Sequence, residues 1–330
     1  MHSLFTQALH DLLHQECSPS VVRQIEAQPR HRGLWTQLCG TGFNDILLPE
    51  SAGGAALPLE AAFDLWALCG RFALPLPLPE TQWARALLHA AGVEDLPSGP
   101  IGLGWAAVQT GQTLSVDVSA GPCCDHVLVS MGDGLRLLPL ETAQMQAHGL
   151  ALDLRLSWSA DHWAAQPVLA PRTDLALVQA LLAAAQMSGA MTAVFEQTLE
   201  YANQRQQFGK PIGRFQTIQH NLSILAEQVF AAAMAARLAC QGEWSALSPL
   251  RVAVAKARTS MAAQQVTTLA HGLHGAIGFT HEFDLQLRTR RLYAWRQCAG
   301  AETHWQQHLG QAMLDRPCHS LDVLRELTDL

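Results

Sequence analysis

Two long alanine-rich segments, over roughly 172–202 and 214–241, are apolar almost throughout and read as helices. The stretch between them, Tyr201-Ala-Asn-Gln-Arg-Gln-Gln-Phe-Gly-Lys-Pro-Ile-Gly-Arg-Phe-Gln-Thr-Ile-Gln-His220, is not apolar. Gly209, Pro211 and Gly213 stop one helix and admit the next, because glycine relieves the Cβ clash and proline cannot donate to a continuing ladder. Arg205, Phe208, Lys210 and Arg214 therefore sit in a forced corner. They offer cationic forks, an aromatic face and freed backbone donors, which suits an anionic ligand with a flat ring system. The same residues also fit an ordinary helix–helix corner with solvated basic side chains.

The 330 residues suffice for two or three domains and a large core. With 49% hydrophobic and 15% charged residues, the chain is a folded, core-rich protein and not a disordered one. A net charge of −7 argues against a general nucleic-acid binder, which would carry a basic face, and leaves room for a local basic pocket. The eight cysteines show no CxxC pair or other metal-ligand spacing, so no metal is expected. Most of them lie in apolar or helical surroundings, where Cys behaves as a small buried hydrophobe, and the adjacent Cys123 and Cys124 add no strong redox signal. The first residues lack a basic region followed by an apolar run, and no window holds roughly 18 uninterrupted apolar residues. A cytoplasmic protein without a membrane span is the expectation.

Read in order, residues 3–16 carry Leu4, Phe5, Leu9, Leu12 and Leu13 at helical spacing, and another helix fits 32–41. Leu57 to Gly70 reads as a helix stopped at its glycine. The alternating prolines of Ala73–Glu80 call for extended chain, after which Thr81 caps a helix through Ala91. The texture changes near 98. Ile101–Trp105, Leu114–Val118, His126–Ser130, Leu135–Pro139 and Leu152–Trp158 are short strand-like runs between turn residues. From Thr173 the chain is helical again, with Pro249 opening a third long helix to about Leu273 and a fourth near 301–312. Long helices with short links make an antiparallel bundle. The organisation expected is an N-terminal α-helical domain (1–97), a small β domain (98–171) and a C-terminal four-helix bundle (172–330). The bundle segments are more apolar than one core requires, so an oligomer through these helices is expected.

Arg205-Gln-Gln-Phe-Gly-Lys-Pro-Ile-Gly-Arg-Phe-Gln-Thr-Ile-Gln-His220 resembles the R-x-x-FG-x-PI-x-x-FQ-x-x-QH signature of the acyl-CoA dehydrogenase family. His271-Gly-Leu-His-Gly-Ala-Ile-Gly-Phe-Thr-His-Glu-Phe-Asp-Leu285 is similar to that family's Q-x-HGG-x-GFT-x-E-x-x-L block. Leu48-Pro-Glu-Ser-Ala-Gly-Gly54 is a weaker echo of its PE-x-x-GG turn. The similarity is good over about 175–310, fair over 30–95 and poor between, where the family's TEP…GSD segment has no counterpart.

The resemblance implies FAD as cofactor, an acyl-CoA substrate oxidised to the 2,3-enoyl-CoA, and an electron-transfer flavoprotein as acceptor. It implies that Arg205 contacts the FAD pyrophosphate across a subunit boundary, that Phe208 packs on the cofactor, and that Gln216 supplies an amide hydrogen bond. Leu273, His274 and Gly275 would approach a phosphate or ribose, although Gly272 stands where the family has Gln and Ala276 replaces its second Gly. His274 equally fits a helix C-terminal cap. Dehydrogenation needs a carboxylate to take the α-proton. One branch places it just before a Gly in the block Tyr293-Ala-Trp-Arg-Gln-Cys-Ala-Gly-Ala-Glu302, where this chain has Ala299. Ala301 likewise replaces a Thr. Glu243, near the position used by another branch, is the candidate base, and it also fits an exposed loop. Glu302 is a weaker candidate. The alternative is a non-catalytic or half-site subunit beside a paralogous active one, so the partner is a second copy or a paralogue.

Overall fold

The computed structural model describes residues 2–30, 32–150, 152–170, 173–315 and 320–328. The chain divides into two compact units, Met1–Leu65 with Leu74–Leu182, and Trp66–Ala73 with Ala183–Leu330.

The first unit begins with α1 (His2–Glu16), α2 (Pro19–Ala27) and α3 (Gly33–Gly40), followed by the opening turns of α4 (Leu59–Arg71). Ser18 caps α2 by accepting from the Val21 amide, with Pro19 in the first turn, where its missing donor is harmless. The next helix, α5 (Leu78–Ala90), is buried from Leu78 to Leu88, although it carries Glu80, Thr81, Gln82 and Arg85. Such groups go inside only when bonded. Thr81 Oγ1 donates to Pro77 O (2.7 Å) and accepts from the Ile101 amide (2.9 Å). Gln82 donates to Phe43 O (2.7 Å), and Arg85 Nε donates to Asp45 (2.6 Å).

A six-stranded sheet follows, made of β1 (Ile101–Thr110), β2 (Thr113–Val118), β3 (His126–Met131), β4 (Gly134–Pro139), β5 (Gln144–Ala147) and β6 (Leu154–Ser159). Its order is β4-β3-β1-β2-β6-β5, with β1 and β3 parallel and the other pairs antiparallel. Period-two alternation sends Leu114, Val116, Val118, Leu156 and Trp158 into one core. On the other face Ser115 meets Ser157 (2.8 Å), and Arg155 holds Asp117 with two bonds (2.7 and 2.9 Å). A single turn, α6 (Ala160–Trp163), closes the sheet, and the start of α7 (Leu175–Gln204) completes the unit.

The second unit takes the rest of α7, the two-residue strands β7 (Gln206–Gln207) and β8 (Lys210–Pro211), and the helices α8 (Gln216–Ala239), α9 (Pro249–His274), α10 (Leu285–Gln297), α11 (Glu302–Leu314) and α12 (Ser320–Thr328). Central α9 packs against α8, α10 and α11. Two glycines set the crossing of α4 and α7. A Cβ on Gly70 would lie 1.8 Å from Gln186 O, and one on Gly189 would lie 1.8 Å from Ala67 O. Lys256 of α9 is fully buried, and its Nζ bonds Arg296 O (2.9 Å), Gly300 O (2.8 Å) and Ser260 Oγ (3.1 Å). It thereby ties down the α10–α11 turn, where Ala299 (φ 52°) and Gly300 (φ 101°) are both left-handed.

The succession of N-terminal helices, small sheet and C-terminal bundle agrees with the sequence expectation. Several local details differ. Gly70 does not stop α4 but sits inside it, because α7 needs the space of a missing side chain. The proline run is extended only in part: α5 starts at Leu78 with Pro79 in its first turn, so Thr81 lies within the helix and does not cap it. Helices α2 and α10 and strand β5 go beyond the elements read from the sequence. The expected boundary at 171/172 lies outside the described residues, as does Cys318.

Candidate cofactor site

The corner between α7 and α8 is a tight hairpin. Gln206 pairs with Pro211 and Gln207 with Lys210, leaving Phe208 (φ 51°) and Gly209 (φ 78°) as a two-residue loop. Two successive positive φ angles match the twist of such a hairpin. Glycine adopts that conformation freely, whereas phenylalanine is strained in it, and strain of this kind concentrates at functional sites. Phe208 is 90% exposed, with its ring edge-on to Phe215 at 6.1 Å, and Lys210 Nζ lies 4.4 Å from the centre of the Phe215 ring. The base of the hairpin is closed by the Ile212 amide donating to Arg205 O (2.8 Å). The Arg205 guanidinium is exposed and has no ion-pair or hydrogen-bond partner among the described residues.

The opposite wall is the C-terminal end of α9. Gly275, at φ 65°, turns the chain out of the helix. A Cβ on Gly272 or on Gly275 would meet nothing within 4 Å, so this backbone is bare. His274 is buried, and its Nδ1 lies 2.8 Å from Ala270 O. A carbonyl only accepts, so Nδ1 carries the proton. Burial lowers the pKa of His274, and burial together with neighbouring His274 lowers that of His271, so both rings are held neutral. Tyr201 joins the walls: its ring stacks on His274 at 4.4 Å, and its hydroxyl donates to His274 O (3.3 Å).

A cavity of about 560 Å³ lies between these walls, and Arg205, Phe208, Leu273, His274 and Gly275 all line it. The structure thus brings together five of the six residues expected at the cofactor. Gln216, the sixth, is exposed at the start of α8 and does not line the cavity, although its neighbours Phe215 and Thr217 do. Tyr201 and Gln207 line it without having been singled out, and the only cue to either is that both lie inside the corner stretch. A second cavity of about 600 Å³ shares Gly272, Gly275 and Ala276 with the first. No carboxylate lines either cavity. An unpaired guanidinium, bare glycine backbone, aromatic faces and no opposing acid fit the phosphates of a dinucleotide such as FAD.

Glu243 stands elsewhere, exposed in the loop between α8 and α9, and lines neither cavity. Glu302 is engaged by Arg296, whose Nε donates to Oε2 at 2.9 Å and whose Nη2 donates to Oε1. The hydrogen bonds from Arg296 hold the Glu302 carboxyl below its ordinary pKa.

The family model for the acyl-CoA dehydrogenase C-terminal domain matches residues 176–313, the segment that carries both walls. The chain is 29% identical over 304 residues to acyl-CoA dehydrogenase IpdE2 of Mycolicibacterium smegmatis, covering 90% of this chain and 94% of that protein. In fold it is similar to the ChsE4-ChsE5 complex from Mycobacterium tuberculosis, with a TM-score of 0.81 at 19% identity over 96% of this chain and 98% of that one. It is equally similar to the Tcur3481-Tcur3483 steroid ACAD, with a TM-score of 0.81 at 22% identity over 95% and 98% of the two chains. The motifs, the order of domains and the near full-length match agree: the chain carries an acyl-CoA dehydrogenase C-terminal domain over 176–313 and is similar to acyl-CoA dehydrogenases along nearly its whole length.

Proposed function

We propose that the chain is an FAD-binding acyl-CoA dehydrogenase that oxidises an acyl-CoA thioester to the 2,3-enoyl-CoA and passes electrons to an electron-transfer flavoprotein. The observation that carries this reading is the unpaired Arg205 guanidinium, which shares a carboxylate-free cavity with the bare Gly272–Ala276 backbone. Arg205 binds the pyrophosphate through charge-assisted bonds, Phe208 covers the cofactor, and Leu273, His274 and Gly275 form the wall beside it. Gln216, exposed beside the lining residues Phe215 and Thr217, would add an amide hydrogen bond. Bound FAD supplies the hydride acceptor for the β-carbon. In this reading Glu243 takes the α-proton, and its exposed loop must then be covered by a second chain, because a general base needs a dry site to be tuned.

One observation favours a second reading. Ala299 offers no carboxylate and Glu243 lies outside both cavities, an arrangement that suits a subunit contributing a flavin half-site while a paralogue supplies the base. Similarity to a two-protein complex supports such a hetero-oligomer.

The test is the visible spectrum of the purified protein, followed by titration with acyl-CoA substrates. Yellow protein whose flavin bleaches with substrate supports the first reading. Glu243→Gln should then slow bleaching by about 10²–10⁴-fold, the usual contribution of a positioned base. Yellow protein that never bleaches alone, but does so when mixed with a paralogue, supports the second. Colourless protein that takes up no added FAD ends both.

A further inference from the structure

The chain has 15 histidines, and two pairs of them stand four residues apart, His10 with His14 and His304 with His308. Residues at that spacing lie one above the other on a helix face, where two imidazoles can hold one metal ion. Cysteine spacing gave no reason to expect a metal; histidine spacing is a separate signal. Both pairs lie within helices, α1 and α11, but they differ in geometry. The rings of His10 and His14 are parallel, 5.9 Å apart at 6°, and His10 Nδ1 is turned to Asp11 Oδ1 at 3.2 Å. Those of His304 and His308 are closer, 4.3 Å apart, and tilted by 50°. His308 Nδ1 lies 2.9 Å from His304 O, so it carries the proton and Nε2 keeps its lone pair. A backbone carbonyl on the rear nitrogen is a usual support of a metal-binding imidazole. The His304 ring has no hydrogen-bond partner among the described residues, and both residues are exposed, so an ion can reach them. A cavity of about 370 Å³, walled by Pro249, Leu250, Trp305 and Ala312, opens beside His308 and leaves room for water.

We propose that His304 and His308 chelate a divalent transition-metal ion of the zinc, nickel or copper type, with water in its remaining positions. Imidazole nitrogen suits these ions, whereas Mg²⁺ and Ca²⁺ take oxygen ligands. No third histidine, cysteine or carboxylate completes a set among the described residues, so the site is open and exchangeable, unlike a closed four-ligand structural centre. The unfolded chain does not hold the two rings together, so a bound ion stabilises the native helix. His304 also lies against the α10–α11 turn: a Cβ on Gly300 would stand 2.6 Å from its Cδ2. An ion held here therefore fixes the ring that covers that turn. Neither histidine lines the cofactor cavities, so the site stands or falls independently of the flavin reading.

The experiment strips the full chain of metal with a chelator and titrates it with Zn²⁺ and, as control, Mg²⁺, read as heat and as the thermal midpoint. Zn²⁺ should bind saturably and raise the midpoint, and Mg²⁺ should do neither. His304→Ala and His308→Ala should each weaken Zn²⁺ binding by at least about 10–100-fold, the loss that follows removal of even a supporting partner of a metal ligand. Their metal-free midpoints should stay close to that of the parent, because both side chains are exposed. His308→Cys, which keeps a metal-binding atom at that position, should retain binding that His308→Ala loses. The double variant His10→Ala with His14→Ala should bind Zn²⁺ like the parent. No saturable Zn²⁺ binding below millimolar, binding that either His304→Ala or His308→Ala leaves undiminished, or binding lost only with the α1 pair overturns the proposal.

Discussion

Lys256 can change its protonation without losing a hydrogen bond. As an ammonium it donates to Arg296 O, Gly300 O and Ser260 Oγ; as a neutral amine it donates to the two carbonyls and accepts from the serine hydroxyl. Burial lowers its pKa to about 8, whereas an unfolded lysine titrates near ~10.4. Below the folded value the native state carries a buried charge, which opposes folding. As pH rises from about 8 towards the unfolded value, the unfolded chain holds a proton that the native state has lost, so stability rises with pH. Urea midpoints at several pH values should show that rise in the parent and not in Lys256→Met. Arg205→Ala should weaken FAD binding by about 1.5–3 kcal/mol, roughly ten- to a hundredfold, in equilibrium dialysis; unchanged affinity would remove this residue from the site. Arg205 and Phe208 were legible because Gly and Pro mark the corner that holds them, and His274 and Gly275 because their block is distinctive. Gln216 was not, because successive helical residues point about 100° apart, so sequence adjacency to Phe215 and Thr217 does not fix direction. Thr267, Phe279 and Tyr293 line the second cavity only through the packing of α9, the short turn Gly275–Phe279 and α10, which no local pattern announces.

Among the elements, the crossing of α4 and α7 depends most on single atoms. Gly70→Ala or Gly189→Ala would each drive a methyl into a facing backbone carbonyl, which cannot swing aside as a side chain can. Overpacking typically costs about 1–3 kcal/mol, and backbone contact belongs at or above the top of that range. Thermal unfolding should show a large loss for either variant, while Gly310→Ala, which meets nothing within 4 Å, should be near neutral or stabilising. Gly70 illustrates where sequence reading stops. A glycine at the end of an apolar helical run is usually a terminator, and only its distant neighbour shows that it permits close approach instead. Helix α10 escaped because Arg288, Arg290, Arg291 and Arg296 break its apolar pattern. Arg291 is nevertheless buried, and Arg288 Nε donates to Arg71 O at 2.9 Å, so these positions face protein despite their charge. The strands were legible because their alternation and turn residues are local.

At the scale of the molecule, α8 leaves much apolar surface uncovered, with Phe230 63% and Met234 68% exposed. Helices long and apolar enough to cross a membrane include α7 and α8; the apolar window of α7 is 89% buried, that of α8 only 28%. A surface of this kind on a helix is the usual mark of an interaction site. Sedimentation at micromolar concentration should give a mass above the 35.8 kDa of one chain, and Phe230→Asp with Met234→Asp should lower it; a stable monomer in the parent would refute association through this face. The division of the chain also bears on how its gene can be rearranged. Trp66–Ala73 belongs with Ala183–Leu330, so neither unit is a contiguous reading frame. A single crossover near 182 would deliver a C-terminal half without the short segment that its Gly189 packs against. Recombination between relatives should therefore keep its fitness only when three junctions move together, at 65, 73 and 182, and chimaeras made at one junction should fail in expression where the triple exchange succeeds.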